Sequence, residues 1–169
     1  MLELQLLLLI ILANGSPILA QKLLGKRWQR AVDGGHCLQD GKPWFGPAKT
    51  WRGIVVACVF TALAASAMHY PLVTGVLVAV SAMLGDLLSS FIKRRLGLVS
   101  SSMALGLDQI PESLLPLLLI KLFAQTLLPS ALQNTMSWTL VWQVVMMFFV
   151  VELLLSKILY HLHIRNQPY

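Results

Sequence analysis

Five long apolar segments separate the polar stretches of this 169-residue chain, at about residues 2–20, 54–68, 72–92, 114–128 and 138–159. A helix needs about 20 mostly apolar residues to cross the hydrocarbon core of a bilayer. Backbone groups in lipid must be hydrogen-bonded within the spanning structure, and the sequence shows no alternating strand pattern. It therefore predicts an all-α, polytopic integral membrane protein with five transmembrane helices, in a single membrane domain over residues 1–169.

Charged residues are few and unevenly distributed. They make up only 12% of the chain, against about 25% in an ordinary soluble domain. The cations cluster in residues 21–53 and 93–109 and near the C-terminus, whereas the other two connections contain no Lys or Arg. Because short basic loops stay in the cytoplasm, we predict an outside N-terminus, two cytoplasmic loops (21–53 and 93–109) and a cytoplasmic C-terminus. This distribution explains the net charge of +6 without a nucleic-acid partner.

The first apolar segment could be a cleaved signal peptide or a retained helix. It begins with Glu3 and has no Lys or Arg ahead of its apolar run, so the basic region of a signal peptide is missing. We interpret it as a retained span.

Two aspartates lie at the predicted cytoplasmic ends of helices. Asp86 lies about 9 Å inside the end of the third segment, where a carboxylate costs about 2.5–3.5 kcal/mol on insertion scales. It either pairs with a nearby cation such as Arg94 or binds a metal ion. Asp108 precedes the fourth segment, followed by Pro111, and is typical of a helix N-cap. Capping and metal binding are compatible, so both interpretations of Asp108 stay open.

Three consecutive cations, Lys93, Arg94 and Arg95, end the third segment. Taken alone, such a cluster is typical of a stop-transfer signal at the membrane surface. Beside two carboxylates, a phosphate-binding site is a competing interpretation.

The first predicted loop carries glycines and aromatic residues interleaved with Lys49, Thr50 and Arg52. Glycine-rich backbone and these side chains are typical phosphate partners. The loop lacks the spacing of a Walker A motif. As an alternative, it would lie at the lipid headgroups, with its tryptophans as anchors.

Four motifs occur in order over nearly the whole chain: Asn14-x-x-Pro17, Asp40-Gly-Lys-x-x-Phe-Gly-x-x-Lys-Thr-Trp-Arg-Gly53, Gly85-Asp86 with Ser90-Phe91-Ile92-Lys93-Arg94-Arg95, and Asp108-Gln109. Together they resemble the CDP-archaeol synthase family of CTP:lipid-phosphate cytidylyltransferases. The likeness to the broader CDP-diacylglycerol synthases is weaker. The family typically has a second acidic residue three positions after the Asp of the last motif, where this chain has Pro111, and Glu112 is the nearest substitute.

The resemblance implies a Mg²⁺-dependent enzyme of phospholipid biosynthesis that joins CTP to a lipid phosphate at the cytoplasmic side of the cell's inner membrane. Metal ions with Lys and Arg would neutralise the phosphates, with little need for a protein nucleophile. On this hypothesis the catalytic residues are Asp86, Lys93 and Asp108. The metal ligands are Asp86 and Asp108, and the nucleotide- and phosphate-binding residues are Asn14, Lys49, Thr50, Arg52, Arg94 and Arg95.

The main alternative is a small membrane transporter or a non-catalytic membrane protein. A transporter would need polar residues through the depth of several spans, and here they cluster at one face, apart from Lys121, Gln125 and Gln143. The sequence leaves open whether the lipid chains are ether-linked or ester-linked. It also leaves open the oligomeric state, with a homodimer as one option.

Overall fold

The computed structural model describes residues 1–99, 102 and 104–162. Part of the second predicted loop (residues 100, 101 and 103) and the C-terminal end (163–169) lie outside the described residues. Within them the chain is all-helical, as predicted, and contains two isolated β-bridges but no strand. The helices are α1 (Leu2–Leu24), α2 (Trp51–Ala67), α3 (Leu72–Arg95), α4 (Gln109–Leu122), the one-turn α5 (Ala124–Leu127) and α6 (Trp138–His161), with a 3₁₀ helix at Ser130–Thr135.

Each predicted apolar segment overlaps a helix, but the ends differ. α1 continues to Leu24, beyond the predicted end at residue 20, while α4 begins at Gln109 rather than at 114 and stops before Phe123. Among the described residues, α1, α3 and α6 are long and apolar enough to cross a membrane, and α2 is a shorter apolar helix. The chain is an integral membrane protein, while the number of five spans stays a prediction.

Small side chains let α1, α2 and α3 approach one another closely. Their shared core consists of Ala13 from α1, Ala57 from α2, and Ala79, Ala82 and Met83 from α3. Such residues are typical of contacts between membrane helices, since they bring the backbones together. α1 also contacts α4 and α6, so four helices surround it. A larger apolar cluster of leucine, isoleucine and valine fills the space between α1, α4 and α6.

Two glycines of α3 mark its closest contacts with its neighbours. A methyl group built on Gly75 would lie 2.5 Å from the carbonyl oxygen of Thr61 in α2. One built on Gly85 would lie 2.7 Å from the backbone nitrogen of Glu112 in α4. Any larger residue would force the helices apart. Because Asp86 follows Gly85, the second contact brings Asp86 close to the beginning of α4.

The segment between α1 and α2, residues 25–50 (hereafter loop 1), is compact. The buried carboxylate of Asp33 accepts hydrogen bonds from the backbone nitrogens of Gly35 (3.0 Å), Phe45 (3.0 Å) and Gly46 (2.8 Å). Burial works to raise the pKa of Asp33, but these three donors together lower it below its ordinary value. Thr50 ends the loop as the N-cap of α2, and its hydroxyl accepts from Gly53 N at 3.2 Å. Loop 1 is therefore anchored within itself and at the start of α2.

Candidate active site

A cavity of ≈ 640 Å³ lies between one end of the helix bundle and loop 1. Residues from α1, α2, α3, α4 and α6 contribute to its wall. Apolar side chains from α1 and α6 line part of it, and charged ones line the rest. In the described part of the chain, five basic and four acidic side chains line this cavity: Lys22, Lys49, Arg52, Lys93, Arg94, Asp86, Asp108, Glu112 and Glu152.

Lys49 of loop 1 pairs with Asp86 of α3. Its Nζ donates to Asp86 Oδ1 at 2.5 Å, and both side chains are largely buried. Burial of the ammonium group works to lower the pKa of Lys49. Attraction to Asp86, and then to Glu112, outweighs burial and raises that pKa above its ordinary value, so the group stays charged. Loop 1 thus closes over the cavity through a charged contact.

Asp86 also contacts Glu112, the first acidic residue of α4, within hydrogen-bonding distance. Glu112 is buried, and its carboxyl group lies in the same cavity. Two adjacent carboxylates repel unless a proton or a cation lies between them. The arrangement therefore accommodates either a shared proton or a cation, and Glu112, the sequence's nearest substitute for the missing acidic residue, lies beside a predicted metal ligand.

Glu152 of α6 is a site residue that sequence reasoning missed. It lines the cavity and lies close enough to Glu112 for its charge to act on that carboxyl group. The available signal was a single carboxylate inside the otherwise apolar run of α6.

Lys93 and Asp108 form a second buried ion pair. The Lys93 Nζ lies 2.7 Å from Asp108 Oδ1 and donates to the carbonyl oxygen of Ser102 at 2.9 Å. Asp108 stands at the N-cap position of α4, but its side chain makes no capping hydrogen bond there. Its Oδ2 instead accepts from the backbone nitrogen of Ala104 at 2.9 Å. The pair therefore ties α3 to the segment that precedes α4.

The three consecutive cations of α3 diverge. Lys93 and Arg94 are buried and line the cavity, and Arg94 Nη2 donates to the carbonyl oxygen of Val99 at 2.8 Å. Arg95 does not line the cavity, and its guanidinium contacts loop 1 at Asp40. Successive residues of a helix point about 100° apart, so three in a row cannot face one site.

The remaining predicted residues also lie at the cavity. Arg52 Nη1 donates to the carbonyl oxygens of Gly25 (2.9 Å) and Arg27 (2.5 Å), which holds the end of α1. Asn14 Nδ2 donates to Ile10 O within α1 at 3.1 Å. Both residues line the cavity, as does Thr50. The structure thus brings Asp86 and Asp108 to one cavity, with every predicted phosphate-binding residue except Arg95.

The donor set of the cavity fits a hard divalent cation. Among the described residues, no group of three acidic, His or Cys side chains is arranged as a complete metal site. Mg²⁺ is usually held by one or two carboxylates together with substrate phosphates rather than by an all-protein cage. The adjacent carboxyl groups of Asp86 and Glu112 match that requirement.

The helical bundle and its charged cavity define an integral membrane protein with a polar site built between its helices. The chain matches the family model described as CarS-like, CDP-archaeol synthase, over residues 2–169. It belongs to the CDP-archaeol synthase family, which confirms the resemblance drawn from its motifs.

Three comparisons illustrate the relationship. The chain is 44% identical to the CDP-archaeol synthase of Hyperthermus butylicus over 104 residues, 58% of this chain and 59% of that relative, so it spans less than two thirds of the relative's length. It is 37% identical to the CDP-archaeol synthase of Pyrobaculum arsenaticum over 117 residues, 66% of this chain and 70% of that relative. A solved structure described as an intramembrane enzyme for archaeal membrane lipids biosynthesis matches with a TM-score of 0.68 and 25% identity, over 90% of both chains.

Proposed function

We propose that this protein transfers CMP from CTP to a lipid phosphate in the membrane, giving a CDP-lipid and pyrophosphate, in a Mg²⁺-dependent reaction at the cytoplasmic side. The observation that carries the proposal is the cavity itself. It combines buried carboxylates and cations with an apolar wall, at the end of the bundle where the basic loops lie. Family membership supports this reaction class, since the relatives are CDP-archaeol synthases.

The charge balance of the cavity supports a metal requirement. Its cations are nearly matched by its carboxylates, and Lys49 and Lys93 are already paired with Asp86 and Asp108. A nucleoside triphosphate would add several negative charges to a site with little positive charge to spare. Asp86 and Glu112 would hold Mg²⁺, which supplies charge neutralisation at the phosphates when bound. Asp108, also a predicted ligand, would become available when Lys93 turns from it to a phosphate.

The side chains then have separate tasks. Lys49, Lys93 and Arg94 would leave their present carboxylate and carbonyl partners and bind the triphosphate. A phosphate monoester has its second pKa near 6 and is mostly ionised at neutral pH, so its oxygen needs no general base. That oxygen attacks the α-phosphorus of CTP, a new P–O bond forms, and the bond between the α-phosphorus and the bridging oxygen breaks to release pyrophosphate. Positioning and charge stabilisation supply the acceleration.

The apolar part of the cavity wall suits the lipid. Ile11 and Ile18 of α1 and Phe148, Leu155 and Leu159 of α6 line the same cavity as the charged groups. A lipid phosphate could therefore bring its headgroup to the cations while its chains stay among apolar side chains. CTP would arrive from the aqueous side.

The direct test uses protein purified in detergent, radiolabelled CTP, Mg²⁺ and a panel of ether-linked and ester-linked lipid phosphates. We expect a labelled CDP-lipid and stoichiometric pyrophosphate with at least one lipid, and no product with Asp86→Asn. Correctly folded protein that forms no product with any lipid would overturn the proposal. The predicted homodimer is a separate prediction, tested by native mass spectrometry of the same preparation.

A further inference from the structure

Arg95 contacts the tip of loop 1 and does not line the cavity. Its Nη1 donates to both carboxylate oxygens of Asp40, each at 2.7 Å. Its Nη2 donates to the carbonyl oxygens of Lys42 (3.1 Å) and Pro43 (2.6 Å). One planar guanidinium therefore binds three residues of the loop tip, which a lysine ammonium could not do with the same geometry.

The contact is reinforced from both sides. The Nζ of Lys42 donates to the carbonyl oxygen of Arg95 at 3.1 Å, at the C-terminal end of α3, where a cation is favourable. The Arg95 guanidinium lies 5.2 Å from the ring centre of Phe91, and the ring of Phe45 lies 6.5 Å from the same ring. We call this group, formed by Asp40, Lys42, Pro43, Phe91 and Arg95, the loop latch.

The loop latch affects the cavity because loop 1 carries Lys49, which lines it. Lys49, which pairs with Asp86, follows the latch by a few residues. Asp33 fixes the loop internally, and Arg52 holds its beginning near Gly25. The latch is the attachment that ties the loop tip to α3, the helix that also carries Asp86. A single half-exposed ion pair contributes little, but here several hydrogen bonds and an aromatic contact act on one side chain.

We propose that Arg95 is a positioning residue for nucleotide binding: through Asp40 it holds loop 1 so that Lys49 faces the cavity, and it does not itself contact the nucleotide. The inference rests on the proposed function for its kinetic consequence. It replaces the expectation that Arg95 binds phosphate directly.

The direction in which Asp40→Ala changes CTP binding distinguishes these two roles. If Arg95 bound the nucleotide, removing the negative charge of Asp40 would leave CTP binding unchanged or improve it. If Arg95 acts through the latch, Asp40→Ala weakens CTP binding although it removes a charge that repels CTP. The double variant Asp40→Ala/Arg95→Ala is then no worse than Arg95→Ala alone, because both changes break one contact.

The experiment measures KM for CTP and kcat for CDP-lipid formation in these three variants, in Arg95→Lys and in Lys26→Ala. Lys26 is an exposed cation of the same loop outside the cavity lining, so its variant controls for charge. We expect KM to rise on the order of 10-fold in both single latch variants, with kcat nearly unchanged, partial rescue by Lys, and no change in Lys26→Ala. Limited proteolysis should cut loop 1 faster in the latch variants while the helices stay intact.

A normal KM in Asp40→Ala, or additive effects in the double variant, would overturn the inference. So would unchanged cleavage of loop 1 in Arg95→Ala. If the wild-type protein formed no CDP-lipid at all, the proposed function would fail instead. The loop latch would then be tested by the rate of proteolytic cleavage of loop 1 alone.

Discussion

Gly85 and Glu112 lie in backbone contact, so close that a methyl group on Gly85 would lie 2.7 Å from the nitrogen of Glu112. We predict that Gly85→Ala pushes α4 away from α3 and separates the carboxyl groups of Asp86 and Glu112. The specific activity of the folded protein should fall by at least about 10-fold, since small displacements of catalytic groups are costly. The measurement is CDP-lipid formation at saturating CTP, normalised to folded protein by size-exclusion chromatography.

Gly75→Ala is the matched control for this prediction. It introduces a comparable clash, 2.5 Å from the carbonyl oxygen of Thr61, but Gly75 does not line the cavity. It should lower the stability by about 1–3 kcal/mol and leave the specific activity of the folded fraction near that of the wild type. Equal losses of specific activity in both variants would contradict the special position of Gly85.

Removal of divalent cations should abolish activity. The adjacent carboxylates of Asp86 and Glu112 should determine the Mg²⁺ concentration that the enzyme needs. In Glu112→Gln we expect the Mg²⁺ concentration for half-maximal activity to rise by at least about 10-fold, because one of the two proposed carboxylate ligands loses its negative charge. Asp86→Asn should be more severe, since it also leaves Lys49 without its partner. The assay is a Mg²⁺ titration after treatment with EDTA.

Glu3→Gln serves as the control for that titration. Its carboxylate pairs with the N-terminal amine at the other end of α1, remote from the cavity. An unchanged Mg²⁺ dependence in Glu112→Gln, with Glu3→Gln behaving like the wild type, would remove Glu112 from the metal site.

The ion pair of Lys93 and Asp108 should separate stability from activity. Both side chains are about nine-tenths buried, so Lys93→Met leaves a buried carboxylate without its cation and should destabilise the protein by about 3–5 kcal/mol. The double variant Lys93→Met/Asp108→Asn should regain most of the melting temperature. It should not regain CDP-lipid formation, because the phosphate-binding cation is still missing. A double variant with wild-type activity would show that the pair is structural only.

The carboxylate of Asp33 should make the order of loop 1 depend on pH. Its pKa is lower in the folded loop than in the unfolded chain, so its stabilisation is complete above about pH 5 and is lost as the pH falls through about 4 and below. Protection of loop 1 from an acid-active protease should therefore decrease below about pH 4. Asp40 also has a lowered pKa, from the Lys42 backbone amide and Arg95, but replacing it would break the loop latch and expose loop 1 to the protease, so Asp33→Asn is compared with the otherwise wild-type chain.

In that comparison, Asp33→Asn should show weak protection at neutral pH and a smaller further decrease on acidification than the wild type. A steep pH dependence that survives Asp33→Asn would assign the titration to another group.

The long apolar segments and the cation distribution were sufficient to predict an all-helical membrane protein, and each predicted segment overlaps a helix. The ends were less accurate for physical reasons. α1 extends to Leu24 because Gln21 and Lys22 line the cavity, and polar residues at a polar cavity need not end a helix. α4 begins at Gln109 because its first turn is buried in the site, so it carries polar residues that a hydropathy criterion excludes.

For the site residues, the depth of each side chain in the membrane was predictable from the sequence, but the direction in which it points was not. Asp86 and Asp108 were expected at one level of the membrane, and they do line one cavity. The proximity of Asp86 to Glu112 depends on the close contact between Gly85 and α4, which no local sequence pattern reveals. The direction of Arg95 could have been inferred, since consecutive helical residues point apart.

The pairing of lysines with aspartates described above also bears on how the protein is made. Lys49 with Asp86 and Lys93 with Asp108 can be assembled in the bilayer before any substrate arrives, because none of these four charges is left without an opposite charge when it is stripped of water. Neither ion pair therefore needs the nucleotide in order to form, and we expect both to be present in the empty protein as it is inserted into the membrane.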